Sequence, residues 1–580
     1  MTGGRFVRAA TLAELEASGR LVVHLEGHTI ALFLAGGRVY AVDNRCPHMG
    51  FPLSRGTVQD GILTCHWHHA RFDLEGGGTF DPWADDLRTF PVEVREGEVW
   101  VDVAVPPPAV DRQLRRIREG LEGNLPLVLA KAVIALDGAG VDPAEPFRVG
   151  LDFGTRYRQA GWGPGLTTLT CLFNLLPFLG AEDRPLALYH GLGAVAEDVA
   201  GSPPRFFLRP LPGPTPDLPT LGRWFRRFIE VRDAEAAERC LVSAVRAGAT
   251  LPELATILFT AATDHRHLQV GHVVDFTTKA FEALEGAGPD LAEPVLASLV
   301  PAYARAMRME ESASWRHPVD LVAILDRAFE RLPAALGQGR RRAWAGSRRA
   351  LAELVVSAEP GTIADGLLDA LAEGCPPADL AGAVAYAAAL RVARFHTSNE
   401  FGDWVTALYT FSFASAVHQA VRRSPTPEVI RGVFDAAMSV YLDRFLNIPA
   451  ARLPEPEGPV ADPGGLLSEL EAVLDQQQRV DEAGRLVGKY LYGGGDPRRL
   501  QATLGRLLLR EDRDFHTIQM VEAAYRLYGA AGPDLDGVPV LVAAARYLAA
   551  HAPTPREQTQ TYRTALRLYR GERLYEDPAG

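Results

Sequence analysis

Cys46-Pro-His48, then sixteen residues, then Cys65-His-Trp-His68 is the stretch whose reading decides the fold of this chain. It offers two thiolates and two imidazoles in two mixed pairs. A Cys2His2 set can close a tetrahedron around structural zinc. Zinc fingers, however, usually place cysteine with cysteine and histidine with histidine, whereas each pair here is mixed. The flanks do not read as a finger either. Leu21-Val-Val-His-Leu25, Ala31-Leu-Phe-Leu-Ala35 and Val39-Tyr-Ala-Val42 precede the first pair, broken by Glu26-Gly27 and Gly36-Gly37. Ala70-Arg-Phe-Asp-Leu74, Gly76-Gly-Gly78, Phe90-Pro-Val-Glu-Val94 and Val99-Trp-Val-Asp-Val103 follow the second. Short β-rich runs between turn residues predict a small antiparallel domain with the two pairs on two of its loops.

These motifs, with Arg71-Phe-Asp-Leu74 and the ending Leu87-Arg-Thr-Phe-Pro-Val92 to Gly97-Glu-Val-Trp-Val-Asp-Val103, resemble the Rieske ferredoxin domain over about residues 5 to 105. The resemblance implies a [2Fe–2S] cluster with Cys46, His48, Cys65 and His68 as ligands, the cysteines on one iron and the histidines on the other. Neutral imidazoles in place of thiolates make that iron easier to reduce. High-potential members of the family carry an extra cysteine in each loop, joined as a disulfide. The corresponding positions here are Phe51 and Trp67, so a lower-potential, ferredoxin or oxygenase type of centre is expected. His66 and His69 are neighbours rather than ligands, because His68 already fills the spacing.

The chain has 580 residues, enough for several domains, and a formal charge of −12, which gives a nucleic-acid role no electrostatic support. Its first 105 residues hold nine Lys/Arg against fourteen Asp/Glu, a net of −5 that would suit a basic reductase surface. Cys171, Cys240 and Cys375 stand alone among apolar or helical residues and are expected as buried free thiols. The N-terminus does not read as a signal peptide, and the longest apolar run, near Leu166 to Gly180, is interrupted by Asn174 and Pro177. A cytoplasmic protein with no membrane partner is expected.

Val103 to Val110 is proline-rich, and the texture then changes to helical periodicity, as in Ala234 to Arg246 and Leu367 to Glu373. The expected fold is therefore multidomain: a small antiparallel all-β Rieske domain (1–105), a Pro-rich linker (106–111), and a large all-α region of irregular helical hairpins. That region divides into a main helical domain (112–450) and a C-terminal helical lobe (465–580), separated by Leu453-Pro-Glu-Pro to Pro463. Asp233, Asp264 and Thr426-Pro427 read as helix openings. Ring-hydroxylating oxygenases also start with a Rieske domain, but their catalytic domain is a large antiparallel sheet, and the residues after 111 do not read as one.

Candidate ligands in the helical region are histidines and carboxylates. Asp264-His-Arg-His267-Leu-Gln-Val-Gly-His272 fits the oxygenases' mononuclear iron spacing. On a regular helix, at ~100° per residue, His267 and His272 would lie about 140° apart, and His265 and His272 within about 20°. His265 and His272, with Asp275, are thus the preferred pair. In Arg394-Phe-His396-Thr-Ser-Asn-Glu400-Phe-Gly-Asp403, the histidine and carboxylates fall on one helical face, with His418 near it if the helix continues. Such sets are how helical bundles hold non-haem iron, the second cofactor expected here. Tyr189-His190, Glu310-Glu311, Trp315-Arg-His317 and Phe515-His516 are looser candidates. Trp404-Val-Thr-Ala-Leu-Tyr-Thr-Phe-Ser-Phe413 reads first as core, though it would also wall a hydrophobic substrate.

Leu188-Tyr-His-Gly-Leu192, His396 in its segment, and Thr554-Pro-Arg-Glu557 through Thr564-Ala-Leu-Arg-Leu-Tyr-Arg-Gly-Glu572 are remotely similar to the questin oxidase-like family, whose members are helical and cleave aromatic polyketides oxidatively. The similarity implies a helical fold and transfers no catalytic residue. Two functions follow. One is an oxidoreductase whose cluster, charged by a separate reductase, feeds a site in the helical region where a small hydrophobic or aromatic molecule is oxygenated. The other is a Rieske electron carrier or redox sensor whose helical region is a protein-interaction scaffold.

Overall fold

Four two-residue turns organise the N-terminal strands. Glu26-Gly27, Gly36-Gly37, Asp60-Gly61 and Glu96-Gly97 each hold positive φ at both positions. That geometry matches the right-handed twist of the strands it joins. The computed structural model describes residues 5–104, 110–572 and 574. Its strands are β1 (Phe6–Thr11), β2 (Arg20–Leu25), β3 (His28–Ala35), β4 (Arg38–Asp43), β5 (Thr57–Gln59), β6 (Ile62–Thr64), β7 (Arg71–Asp73), β8 (Thr89–Phe90), β9 (Val92–Arg95) and β10 (Glu98–Asp102). They pair antiparallel in three sheets, ordered β1-β10-β9, β2-β3-β4-β8 and β5-β6-β7. A short helix α1 (Leu12–Ser18) joins β1 to β2, started by a capping box between Thr11 and Glu14.

Phe90-Pro-Val-Glu-Val94 is not the single strand that its sequence predicts. Pro91 lacks an N–H, and the stretch splits there: Phe90 pairs with Ala41 of β4 and Val92 with Val101 of β10. Two apolar clusters result. Ile30, Leu32, Phe90, Val99 and Val101 fill one; Phe33, Leu53, Leu63, Phe72, Leu74 and the two loop cysteines fill the other.

The return from β7 to β8 crosses its own start at Gly77. Gly77 has φ +78°, donates to Asp73 O, and accepts from Leu87 N. A Cβ added there would sit 2.0 Å from Leu87 O. Gly77→Ala is therefore expected to destabilise the N-terminal domain by roughly 1–3 kcal/mol from backbone strain alone. A lower melting temperature followed by circular dichroism would show it.

After the strands come helices α2 (Val110–Glu122) and α3 (Pro126–Gly138). Of the linker read at 106–111, residues 106–109 lie outside the described residues, and Val110 and Asp111 open α2. By contacts the chain divides into two compact units, Met1–Pro146 with Gln560–Gly580, and Phe147–Thr559. The first contains the sheets, α2, α3 and most of the helix Glu557–Tyr569.

The second unit is helical. Among the described residues no strand follows Asp102, and 24 helices do. The sequence reading of a β domain followed by a large helical region holds. Asp233 and Thr426 cap helices Ala234–Arg246 and Pro427–Leu442 as their spacing predicts. Asp264 does not open a helix. It ends Leu251–Thr263 and turns its carboxylate to Arg226, with N–O distances of 2.5 and 2.6 Å. Among the described residues no helix is long and apolar enough to cross a membrane.

Candidate metal centre

The two ligand loops share one local geometry. In each, the cysteine N–H donates to the carbonyl five residues on: Cys46 to Phe51 at 2.8 Å, Cys65 to Ala70 at 2.9 Å. In each, the fourth residue on is left-handed, Gly50 at φ +81° and His69 at φ +62°. His69 therefore shapes the backbone of its loop, and its side chain points to solvent. His66 is also exposed, 3.4 Å from Thr57 Oγ1. Asn44 anchors the first loop by accepting from Leu53 N and Ser54 N.

Cys46 and Cys65 are buried and adjacent, and their thiols share a hydrogen bond. That bond pulls the Cys65 thiol down to about 6, with the N–H groups of Trp67 and His68 adding to it against burial. It pushes Cys46 in the opposite direction. The imidazoles of His48 and His68 meet edge-on, ring centres 4.9 Å apart. His48 is half-buried and His68 exposed, so the sulfurs lie inward and one imidazole reaches solvent. Trp83 packs 4.7 Å from His48 and Trp67 lies 4.4 Å from His68. Phe51 and Trp67, the positions read as replacing a disulfide, pack with ring centres 5.9 Å apart. All five cysteines are free and buried, as expected for Cys171, Cys240 and Cys375.

The donor set fits a two-iron cluster. Its thiolate and imidazole halves are separate, as one cysteine pair and one histidine pair require. The buried Nδ1 of His48 has no protein partner. Buried polar nitrogens rarely go unpaired, so this atom is placed as a ligand atom would be. Burial first, then the charge of Lys131, push His48 down to about 4, which keeps it in the neutral form that ligates.

Sequence reasoning missed what holds the first loop. Lys131 of α3 donates to Pro47 O at 2.5 Å and His48 O at 2.8 Å, and lies 3.2 Å from Asp85 Oδ2. Arg116 of α2 donates to Pro82 O and Ala84 O and pairs with Asp85, bracing the segment that carries Trp83. Arg45 donates to Leu568 O. One signal was present: Lys131 is the lone charge in the apolar run Pro126-Leu-Val-Leu-Ala-Lys-Ala-Val-Ile-Ala-Leu136.

The helical-region candidates are corrected in placement. His265 and His272 do not share a helix. The backbone breaks between Thr263 and His272, with positive φ at His267, Gln269, Val270 and Gly271. His265 instead faces two carboxylates, Nδ1 2.7 Å from Glu310 and Nε2 2.8 Å from Glu230. His396 and Glu400 do not lie on a helical face either. Helix Pro377–Ala393 stops before them and the next begins at Asp403, because His396 Nδ1 bonds to Ser398 within a turn and the Asn399 side chain donates to the distant Leu446 O. Glu400 is exposed, and His418 is buried in the later helix. His190 is buried, Glu311 and His317 are exposed, and Trp404 to Phe413 is mostly core. Among the described residues of the helical region no three His, Cys, Asp or Glu side chains converge to hold a single ion. Asp275 lies 3.9 Å from His272, and an unpredicted partner, His516, stacks on that ring.

Comparison with known proteins agrees with this geometry. Residues 5–91 match the family model for the Rieske [2Fe-2S] domain. The ferredoxin component of the naphthalene 1,2-dioxygenase system of Pseudomonas aeruginosa is 30% identical over 101 residues, 17% of this chain and 97% of that protein. The ferredoxin component of the p-cumate 2,3-dioxygenase system of Pseudomonas putida is 36% identical over 83 residues, 14% of this chain and 70% of that protein. A 4beta-methylsterol monooxygenase of Methylococcus capsulatus is 36% identical over 130 residues, 19% of this chain and 35% of that protein. The family model spans the part of the chain that carries the two loops, and by these likenesses the chain belongs to the Rieske [2Fe-2S] family.

Proposed function

We propose that Cys46, His48, Cys65 and His68 hold a [2Fe–2S] cluster of the lower-potential type, that a separate reductase charges it, and that the electron is used at a site in the helical region to oxidise a small hydrophobic or aromatic molecule. The observation that carries the first step is the unpartnered, buried His48 Nδ1 beside two hydrogen-bonded thiols. A cluster there would supply one-electron transfer. The chain's own residues do the rest. The cysteines anchor the inner side, Trp83 and Trp67 flank the imidazoles, and exposed His68 offers a route to a donor or acceptor. Relatives named as ferredoxin components of dioxygenase systems and as a monooxygenase support electron delivery to oxidative chemistry. Carrying donor and acceptor on one chain raises their effective concentration.

The second reading, a carrier or sensor with a helical interaction scaffold, is favoured by one observation: among the described residues of the helical region no three ligating side chains converge on one point. Reoxidation separates the two. Full-length protein is expected to hold about two irons per chain. After chemical reduction in air-saturated buffer, it should reoxidise faster with an aromatic substrate present, yielding product. Equal rates with and without substrate across a panel of aromatic compounds would favour the carrier.

A further inference from the structure

Five rings from three helices meet in the helical unit. His272 and Phe276 come from helix His272–Ala287, Tyr409 from Asp403–Arg423, and Phe515 and His516 from Phe515–Ala530; Trp404, on the same helix as Tyr409, packs separately against Phe395. These five residues are each half-buried, so together they form an aromatic cluster with an edge to solvent. Tyr409 stands edge-on between the imidazoles, 5.0 Å from His272 and 5.2 Å from His516. The imidazoles lie 5.8 Å apart at an interplanar angle of 29°. Phe276 stacks on His272 at 5.4 Å, and Phe515 lies 6.0 Å from the same ring.

Each imidazole has a carboxylate on its Nδ1 side. Asp514 lies 3.6 Å from His516, and Asp275, itself bonded by Gln519, lies 3.9 Å from His272. A carboxylate on that side favours the tautomer with Nδ1–H and a free lone pair on Nε2. His516 Nε2 is buried and has no protein partner. The loop that delivers His272 is strained: Val270, a β-branched residue, sits at φ +48°. Such outliers persist where the surrounding structure holds a special geometry.

We propose that this aromatic cluster is the ligand site of the helical unit, taking between its rings a planar aromatic molecule that bears a hydroxyl, with His516 Nε2 as the acceptor of the hydroxyl proton. The inference rests on the reading that the helical region acts on an aromatic molecule, and it supplies the residues. On binding, the ligand's O–H bond breaks, an N–H bond forms at Nε2, and the resulting imidazolium faces the Asp514 carboxylate. No oxidant takes part in this step. Face-to-edge packing against Tyr409, Phe276 and Phe515 holds the ring.

The test uses 4-nitrophenol, whose visible band reports loss of its proton, with oxidised full-length protein and no reductant. Wild-type protein is expected to bind it saturably and to enhance the phenolate band, while nitrobenzene binds about tenfold more weakly, or ~1.4 kcal/mol. His516→Gln should lose both the band and about tenfold in affinity, the same ~1.4 kcal/mol, with far-UV circular dichroism unchanged. Asp514→Asn is the fold-safe variant, because asparagine keeps the cap that Asp514 gives Thr517 N. It should still bind 4-nitrophenol but with a several-fold smaller phenolate band. No saturable binding to wild type, or equal bands in wild type and both variants, would overturn the proposal. Binding without turnover on reduction would leave this site standing and count against the electron-delivery reading.

Discussion

Alanine at Cys65 is expected to leave the purified chain with at most a trace of iron and labile sulfide, and without visible cluster absorption. The Cys65 sulfur lies inside the domain, hydrogen-bonded to Cys46 and approached by the N–H groups of Trp67 and His68. The Cys46 hydrogen bond, and then the N–H groups, favour its thiolate against burial. Without it one iron keeps a single protein ligand. The fold should survive: loop closure runs through backbone bonds, Cys65 N to Ala70 O and Cys46 N to Phe51 O, and losing one small buried atom group costs about 1 kcal/mol. Colorimetric iron and sulfide assays beside circular dichroism decide it. Iron at half or more of the parental content in a folded variant would sink the ligand assignment.

Lys131→Met should lower the midpoint potential of the cluster by tens of millivolts and loosen the first loop. Reduction adds a negative charge close to His48, and the Lys131 ammonium, donating to the Pro47 and His48 carbonyls, favours that state. At an effective dielectric of ~20, unit charges roughly 10 Å apart interact by about 1–2 kcal/mol. Removing the ammonium also strands two carbonyls, each bond to a charged donor being worth about 1.5–3 kcal/mol, although Arg116 remains for Asp85. Lys131→Arg keeps the charge and is the control. Spectroelectrochemical titration reads the potential, and an unchanged value in the methionine variant would remove the charge effect.

How much of this was legible beforehand depended on how local the cause was. The Cys/His pairs on two loops, the glycine turns and the β-to-helix change of texture are written in neighbouring residues, and the loops, the turns and the change of texture appear as read. Pro91 was visible too, yet its splitting of one strand across two sheets depends on where β4 and β10 lie. The helical-face argument failed at Asp264 to Gly271 and at His396 to Gly402 for the same reason. Arg226, Glu230, Glu310 and Leu446 satisfy those turns from far along the chain, making a break as favourable as continued helix. His272 was singled out from its spacing, but its neighbours His516 and Tyr409 lie on helices no short-range pattern connects.

The bond from Arg45 to the carbonyl of Leu568 joins residues 523 positions apart. During synthesis the loop bearing Cys46 and His48 emerges early, while its last clasp arrives only after the helical unit has been made. Until then the loop stays less constrained and more open to a partner. Clasping of the Cys46 loop through Arg45 thereby waits until residue 568 has been made.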